Sequence, residues 1–128
     1  MHIAAILLVD DNPVQASTRK AILSHSGNNV FVAANAQEAL KLLEDTGFTN
    51  NISLIITDHL MPKMNGPQFV AQLRTQLPNV PVLVLSGMPG AEAEYDGMNV
   101  LYRLKPMDPE ELIQLTNSLS DEALRRTA

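Results

Sequence analysis

The sequence predicts an α/β domain built as a doubly wound (βα)5 parallel sheet. Three observations carry this prediction. Five short apolar runs, at residues 3–9, 29–33, 53–57, 80–85 and 100–104, are rich in Val, Ile and Leu. They show little polar alternation, the pattern of strands covered on both faces. Amphipathic segments separate the runs, which suits βα units with right-handed crossovers and helices on both sides of the sheet. Asp10 and Asp11 close the first run and Asp58 closes the third. In a parallel sheet these residues share the carboxyl edge, where open α/β sheets bind ligands.

The first helix follows Pro13, a residue suited to a first turn, with Val14, Thr18, Ala21, Ile22 and His25 on one face. The second places Ala36, Ala39, Leu40 and Leu43 together, with Asn35 as its N-cap. The third carries Phe69, Val70, Leu73 and Leu77 and stops at Pro78. The segment from Gly90 to Gly97 has poor apolar periodicity and room for two turns at most, so a short or irregular fourth helix is expected. The last helix begins near Pro109 and presents Leu112, Leu115, Thr116, Leu119 and Ala123. The domain is expected to span residues 1–120. Residues 121–128 form a polar tail, read as a solvated helical extension supported by pairing of Asp121 with Arg125 and of Glu122 with Arg126.

A chain of 128 residues fits one domain and can bury a real core. The formal charge of −5 argues against a nucleic-acid surface. There is no cysteine, so disulfides and thiolate metal sites are excluded. The apolar runs are too short to span a membrane, and no basic segment precedes the first. A cytoplasmic protein is the resulting expectation. Met1 lies close before the first run and the tail lacks a Gly/Pro-rich linker, which favours a standalone protein.

Three carboxylates at one edge repel one another, a costly arrangement unless a cation sits among them. Around them stand Val9-Asp10-Asp11, the stretch Thr57-Asp58-His59-Leu60-Met61-Pro62-Lys63-Met64-Asn65-Gly66, then Leu85-Ser86-Gly87 and Lys105-Pro106. In this order the motifs resemble the response-regulator receiver domains of two-component signalling, over roughly residues 3–120. The resemblance implies a flavodoxin-like sheet with strand order 2-1-3-4-5. It implies that Asp58 is the phosphoacceptor, a carboxylate that attacks phosphohistidine phosphorus to form an acyl phosphate. It further implies a Mg²⁺ ion held directly by Asp11 and Asp58, through water by Asp10, and by the backbone carbonyl of Leu60. Lys105, aimed by a cis bond to Pro106, pairs with the acceptor and then with the phosphoryl group. Ser86 donates a hydrogen bond to the phosphoryl oxygen, Gly87 keeps access open, and Tyr102 is the aromatic whose rotamer follows the switch.

Leu60 and Met88, two residues after Asp58 and Ser86, flank the acyl phosphate in the same pattern. Both are apolar and unable to orient an attacking water. His59 reads as a rim residue, and His2 and His25 as structural or solvated. Met61, Met64, Met88, Met98 and Met107 read either as an adaptable partner surface or as gap fillers. The segment from Ser86 to Lys105 is a few residues shorter than in many receivers, which casts doubt on dimerisation through the fourth helix, fifth strand and fifth helix.

The function expected from these residues is a Mg²⁺-dependent receiver switch phosphorylated by a histidine kinase or phosphotransfer protein. Its output is by protein contact with an unnamed partner, without nucleic-acid or membrane contact, and its only reaction is on itself. A pseudo-receiver that is never phosphorylated is the first alternative. An aspartate-nucleophile phosphohydrolase is the second, disfavoured because residues 10–12 read Asp-Asp-Asn rather than Asp-x-Asp.

Overall fold

The computed structural model describes residues 5–127, with side chains described as far as Asp121. Its strands are β1 (Ala5–Val9), β2 (Asn29–Ala33), β3 (Ile52–Asp58), β4 (Val82–Ser86) and β5 (Leu101–Leu104). They pair in parallel in the order β2-β1-β3-β4-β5, the order implied by the resemblance. Each of β1, β3 and β4 is buried almost throughout, which is why these runs lack polar alternation.

Side chains of the central strands alternate between two cores. Leu7, Val9, Ile55 and Val84 face α2 (Ala36–Leu42) and α4 (Gly66–Gln76). Ile6, Leu8, Ile56 and Leu83 face α1 (Pro13–His25) and α5 (Pro109–Thr127). Burial of each such side chain stabilises by about 2 kcal/mol, so these two layers hold the strand ends in place. Among the described residues, no helix is long and apolar enough to cross a membrane.

Three details depart from the sequence reading. The second crossover contains an additional helix, α3 (Thr46–Asn51), started by Asp45, whose side chain accepts from the N–H groups of Gly47 and Phe48. Its Phe48 packs edge-on against Phe31, a contact between distant segments that periodicity does not report. The buried stripe of α1 is Ala16 and Leu23, with half-buried Arg19 and Ile22, whereas Val14, Thr18, Ala21 and His25 are exposed. An arginine on the buried stripe conceals it from an apolar count. Finally, Pro81 precedes β4, and this strand starts at Val82 rather than at residue 80. The irregular fourth crossover is as expected: a single 3-10 segment at Ala91–Tyr95. His2 and the ion pairs expected in the tail lie outside the described residues.

The amino edge of the sheet is tied together by Arg74 at the end of α4. Its guanidinium donates to the carbonyls of Met98 (2.8 Å), Leu77 (3.0 Å), Val80 (2.6 Å) and Asn99 (2.8 Å). These carbonyls precede β4 and β5, so one side chain sets how both strands enter the sheet.

Candidate functional site

Strand register gathers the polar residues at the opposite edge. Val9 aligns with Ala33 and Thr57, Asp58 with Leu85, and Ser86 with Leu104. Asp10, Asp58, Ser86 and Lys105 therefore fall at the carboxyl ends of four neighbouring or near-neighbouring strands. The backbone reinforces this: Asp10 N–H donates to Ala33, His59 N–H to Leu85, and Lys105 N–H to Ser86.

At the end of β1 the Asp-Asp-Asn triplet divides its tasks. Asn12 caps α1, its side-chain oxygen accepting from the N–H groups of Val14 and Gln15. Asp10 is buried and accepts from the Asn12 N–H at 2.9 Å. Asp11 is exposed. Asp10, Asp11 and Asp58 each offer a carboxylate oxygen, and these atoms lie within 4.8 Å of one another. Burial pushes the Asp10 carboxyl up to about 7, and the adjacent Asp58 pushes it the same way, against the pull of the Asn12 N–H and the Arg19 guanidinium. Such crowding of hard oxygen donors fits a divalent cation of the Mg²⁺ type.

Asp58 is only 3% exposed. Lys105 Nζ lies 2.8 Å from its Oδ1 and 3.4 Å from the Gln15 side-chain oxygen. The Lys105–Pro106 peptide bond is cis. Ser86 is buried at the end of β4, its Oγ accepting from the Met88 N–H at 2.9 Å. Leu60 and Met88 stand at the rim, 62% and 43% exposed.

The loop after Asp58 returns to the site through Gly66, whose N–H donates to the His59 carbonyl at 2.8 Å. A Cβ on Gly66 would strike the Tyr95 hydroxyl and lie 3.1 Å from His59 Cα and 3.2 Å from the Asp58 carbonyl. The adjoining helix start is a capping box: Asn65 accepts from Gln68 N–H and Gln68 from Asn65 N–H.

Two residues depart from the sequence expectation. His59 is not a rim residue. It is buried beside the rings of Tyr95 and Tyr102, with Nδ1 2.7 Å from the Tyr95 hydroxyl and Nε2 3.5 Å from Glu94. The 3-10 segment supplies both Tyr95 and Glu94, and a sequence cannot show that it folds over β3. Tyr102 is buried too, and its hydroxyl donates to the Met88 carbonyl. The addition is Arg19, whose NH1 lies 2.8 Å from Asp10 Oδ2 and 3.3 Å from Asp58 Oδ1. The one available signal was a charge three residues after Ala16 and four before Leu23 on a helix. Met61 is buried, and Met64, Met98 and Met107 pack against the cores, so these methionines are gap fillers; Met88 is the exposed one.

Comparison with known proteins agrees with this architecture. The chain is 35% identical to the response regulator Rre1 of Synechocystis, covering 90% of this chain and 51% of that protein. It is 31% identical to the sensor kinase/phosphatase LuxN of Vibrio campbellii, covering 96% of this chain and 14% of LuxN. The chain thus spans about half the length, or less, of several curated relatives it matches. The crystal structure of a CheY-like receiver domain protein from Methanospirillum hungatei superposes with a TM-score of 0.87 at 25% identity, covering 98% of this chain and 99% of that one. The profile of the response regulator receiver domain matches residues 6–117. A parallel sheet in the order 2-1-3-4-5, an acid pocket at its carboxyl edge and a family match along nearly the whole chain lead to one conclusion: this chain belongs to the response regulator receiver domains of two-component signalling.

Proposed function

We propose that this receiver is a phosphorylatable switch with Asp58 as its phosphoacceptor. The observation that carries the reading is the 2.8 Å contact of Lys105 Nζ with Asp58 Oδ1 inside the cluster of three carboxylates. An Asp58 oxygen attacks the phosphorus of a phosphohistidine on a histidine kinase or phosphotransfer protein. The P–N bond breaks, the imidazole leaves with the electron pair, and an acyl phosphate remains on Asp58. Lys105 neutralises the carboxylate in the resting state and the phosphoryl oxygens afterwards. Ser86 Oγ, now an acceptor from Met88 N–H, has a hydroxyl proton to donate to a phosphoryl oxygen. Mg²⁺, when held by Asp10, Asp11, Asp58 and the Leu60 carbonyl, would neutralise charge on the transferring group.

Tyr102 links this chemistry to the surface. Its hydroxyl holds the Met88 carbonyl, so movement of the Ser86–Met88 turn toward a phosphoryl group releases or redirects the ring. An apolar groove of about 540 Å³ between α1 and α5, which includes Val14, Ile22 and Leu112, ends at Lys105 and offers a protein donor a surface beside Asp58. The reaction is on the protein itself, and the output is a changed contact surface.

Acetyl phosphate with Mg²⁺ is expected to add one phosphate to the wild type by intact mass. The Asp58→Asn variant should add none while keeping its circular dichroism. Phosphate mapped to another residue overturns the assignment of Asp58. No mass gain in the wild type makes the chain a binding module, and sustained turnover of an aryl phosphate makes it a phosphohydrolase.

A further inference from the structure

Arg19 stands on the buried stripe of α1, a position between Ala16 and Leu23 where an apolar residue would complete the core. Its side chain is 15% exposed, and arginine is rarely so buried unless paired. The pairing is specific. A single nitrogen, NH1, contacts carboxylates from two strands: Asp10 Oδ2 at 2.8 Å and Asp58 Oδ1 at 3.3 Å. Lys105 Nζ reaches the same Asp58 oxygen at 2.8 Å. Three acidic groups therefore face two fixed cations, leaving a formal charge of −1, where Lys105 alone would leave −2. At separations of about 3 to 5 Å even a strongly screened unit charge changes ion affinity severalfold.

We propose that Arg19 is a built-in counter-cation of the acid pocket: its guanidinium bridges Asp10 and Asp58 in the resting protein, and must leave both carboxylates before they can ligate a divalent cation. The inference rests on the reading of this pocket as a cation site, not on phosphoryl transfer itself. Lys105 and Arg19 differ in consequence. Of the three pocket carboxylates Lys105 contacts Asp58, whereas Arg19 joins Asp58 to Asp10. The expected behaviour is weak cation affinity at rest, since binding includes the cost of displacing a paired guanidinium.

Two measurements test this, neither requiring phosphorylation. Mn²⁺ binding is followed by electron paramagnetic resonance of free ion at pH 8. Arg19→Met removes the charge while keeping much of the side chain's apolar reach, and is expected to bind Mn²⁺ severalfold more tightly than the wild type. Arg19→Lys should fall between them. Affinity for Arg19→Met equal to or weaker than the wild type overturns the proposal, whatever the melting temperature of the variant. The second measurement uses the wild type and so is independent of whether variants fold. The Arg19 Nε–Hε resonance is followed by NMR during Mg²⁺ titration, together with the Asp11 and His59 amides. The guanidinium resonance should move in step with the amides; amides that saturate while it stays still overturn the proposal. A protein that shows both expected results yet gains no phosphate from acetyl phosphate overturns the switch function and leaves the role of Arg19 standing.

Discussion

Two arginines sit at opposite edges of the same sheet and face opposite partners. Arg74, at the amino edge, donates to four neutral backbone carbonyls that open β4 and β5. Arg19, at the carboxyl edge, contacts two carboxylates that already crowd one another. The first arrangement satisfies groups that would otherwise be unpaired, so it stabilises the fold. The second offsets a repulsion that the fold itself has created, and leaves net negative charge behind. One edge satisfies neutral carbonyls; the other gathers like charges that, among the described residues, only two cations offset.

The comparison predicts opposite signs for substitutions at the two edges. The largest effect is expected for Arg74→Met. Four hydrogen bonds from a charged donor disappear together and their carbonyls lose partners, which should lower stability by about 4 kcal/mol. Urea unfolding measures it, and the initial rate of phosphorylation by acetyl phosphate should be unchanged where the variant is folded. A loss below about 1 kcal/mol would show that water replaces these contacts.

At the carboxyl edge Asp10→Asn should stabilise, by about 2 kcal/mol at pH 8 without divalent cation. The sign follows from proton uptake. Asp10 titrates near 7 in the folded protein against an ordinary 3.8, so between these values the folded chain binds more protons than the unfolded one. Its destabilising effect is therefore absent below about pH 4, grows as pH rises, and is complete above about 7. The wild type should lose stability from pH 5 to pH 8 relative to Asp10→Asn, and Mg²⁺ should reduce the difference. Parallel curves for the two proteins would contradict the assignment of this slope to Asp10.

Gly66→Ala joins the two effects, because the methyl group meets Tyr95, His59 and the backbone of Asp58. Overpacking there should cost about 2 kcal/mol. Unlike Arg74→Met, it should also slow phosphorylation if Asp58 is the site proposed above, since the Asp58 carbonyl must shift. A stability loss with an unchanged rate would mean that Tyr95 alone yields.

The smallest effect concerns lifetime. Leu60 and Met88 stand exposed at the rim and carry no group able to orient water. Leu60→Asn and Met88→Glu should each speed loss of the acyl phosphate about tenfold, equivalent to about 1.4 kcal/mol in barrier. Phosphate release followed after removal of the donor decides it; an unchanged rate in both variants removes the apolar pair as the determinant.

The amino-acid sequence by itself determined the strands, because a run such as Leu54-Ile55-Ile56 buried on both faces has no alternation to lose. It determined the edge as well: Asp10 and Asp58 each close such a run, and parallel strands bring their ends together. Asn35 marks a helix start by local chemistry, and the Asn12 cap and the Asn65–Gln68 capping box, which the structure adds, are equally local. Only the tertiary structure decided where the long polar side chains go. Arg19 meets Asp58 across 39 residues of chain, His59 meets Tyr95 across 36, and Arg74 meets Asn99 across 25. Periodicity reports which side of an element faces the core. It does not report which charge or hydroxyl waits there, because that partner arrives through the packing of another element and leaves no spacing of its own in the sequence.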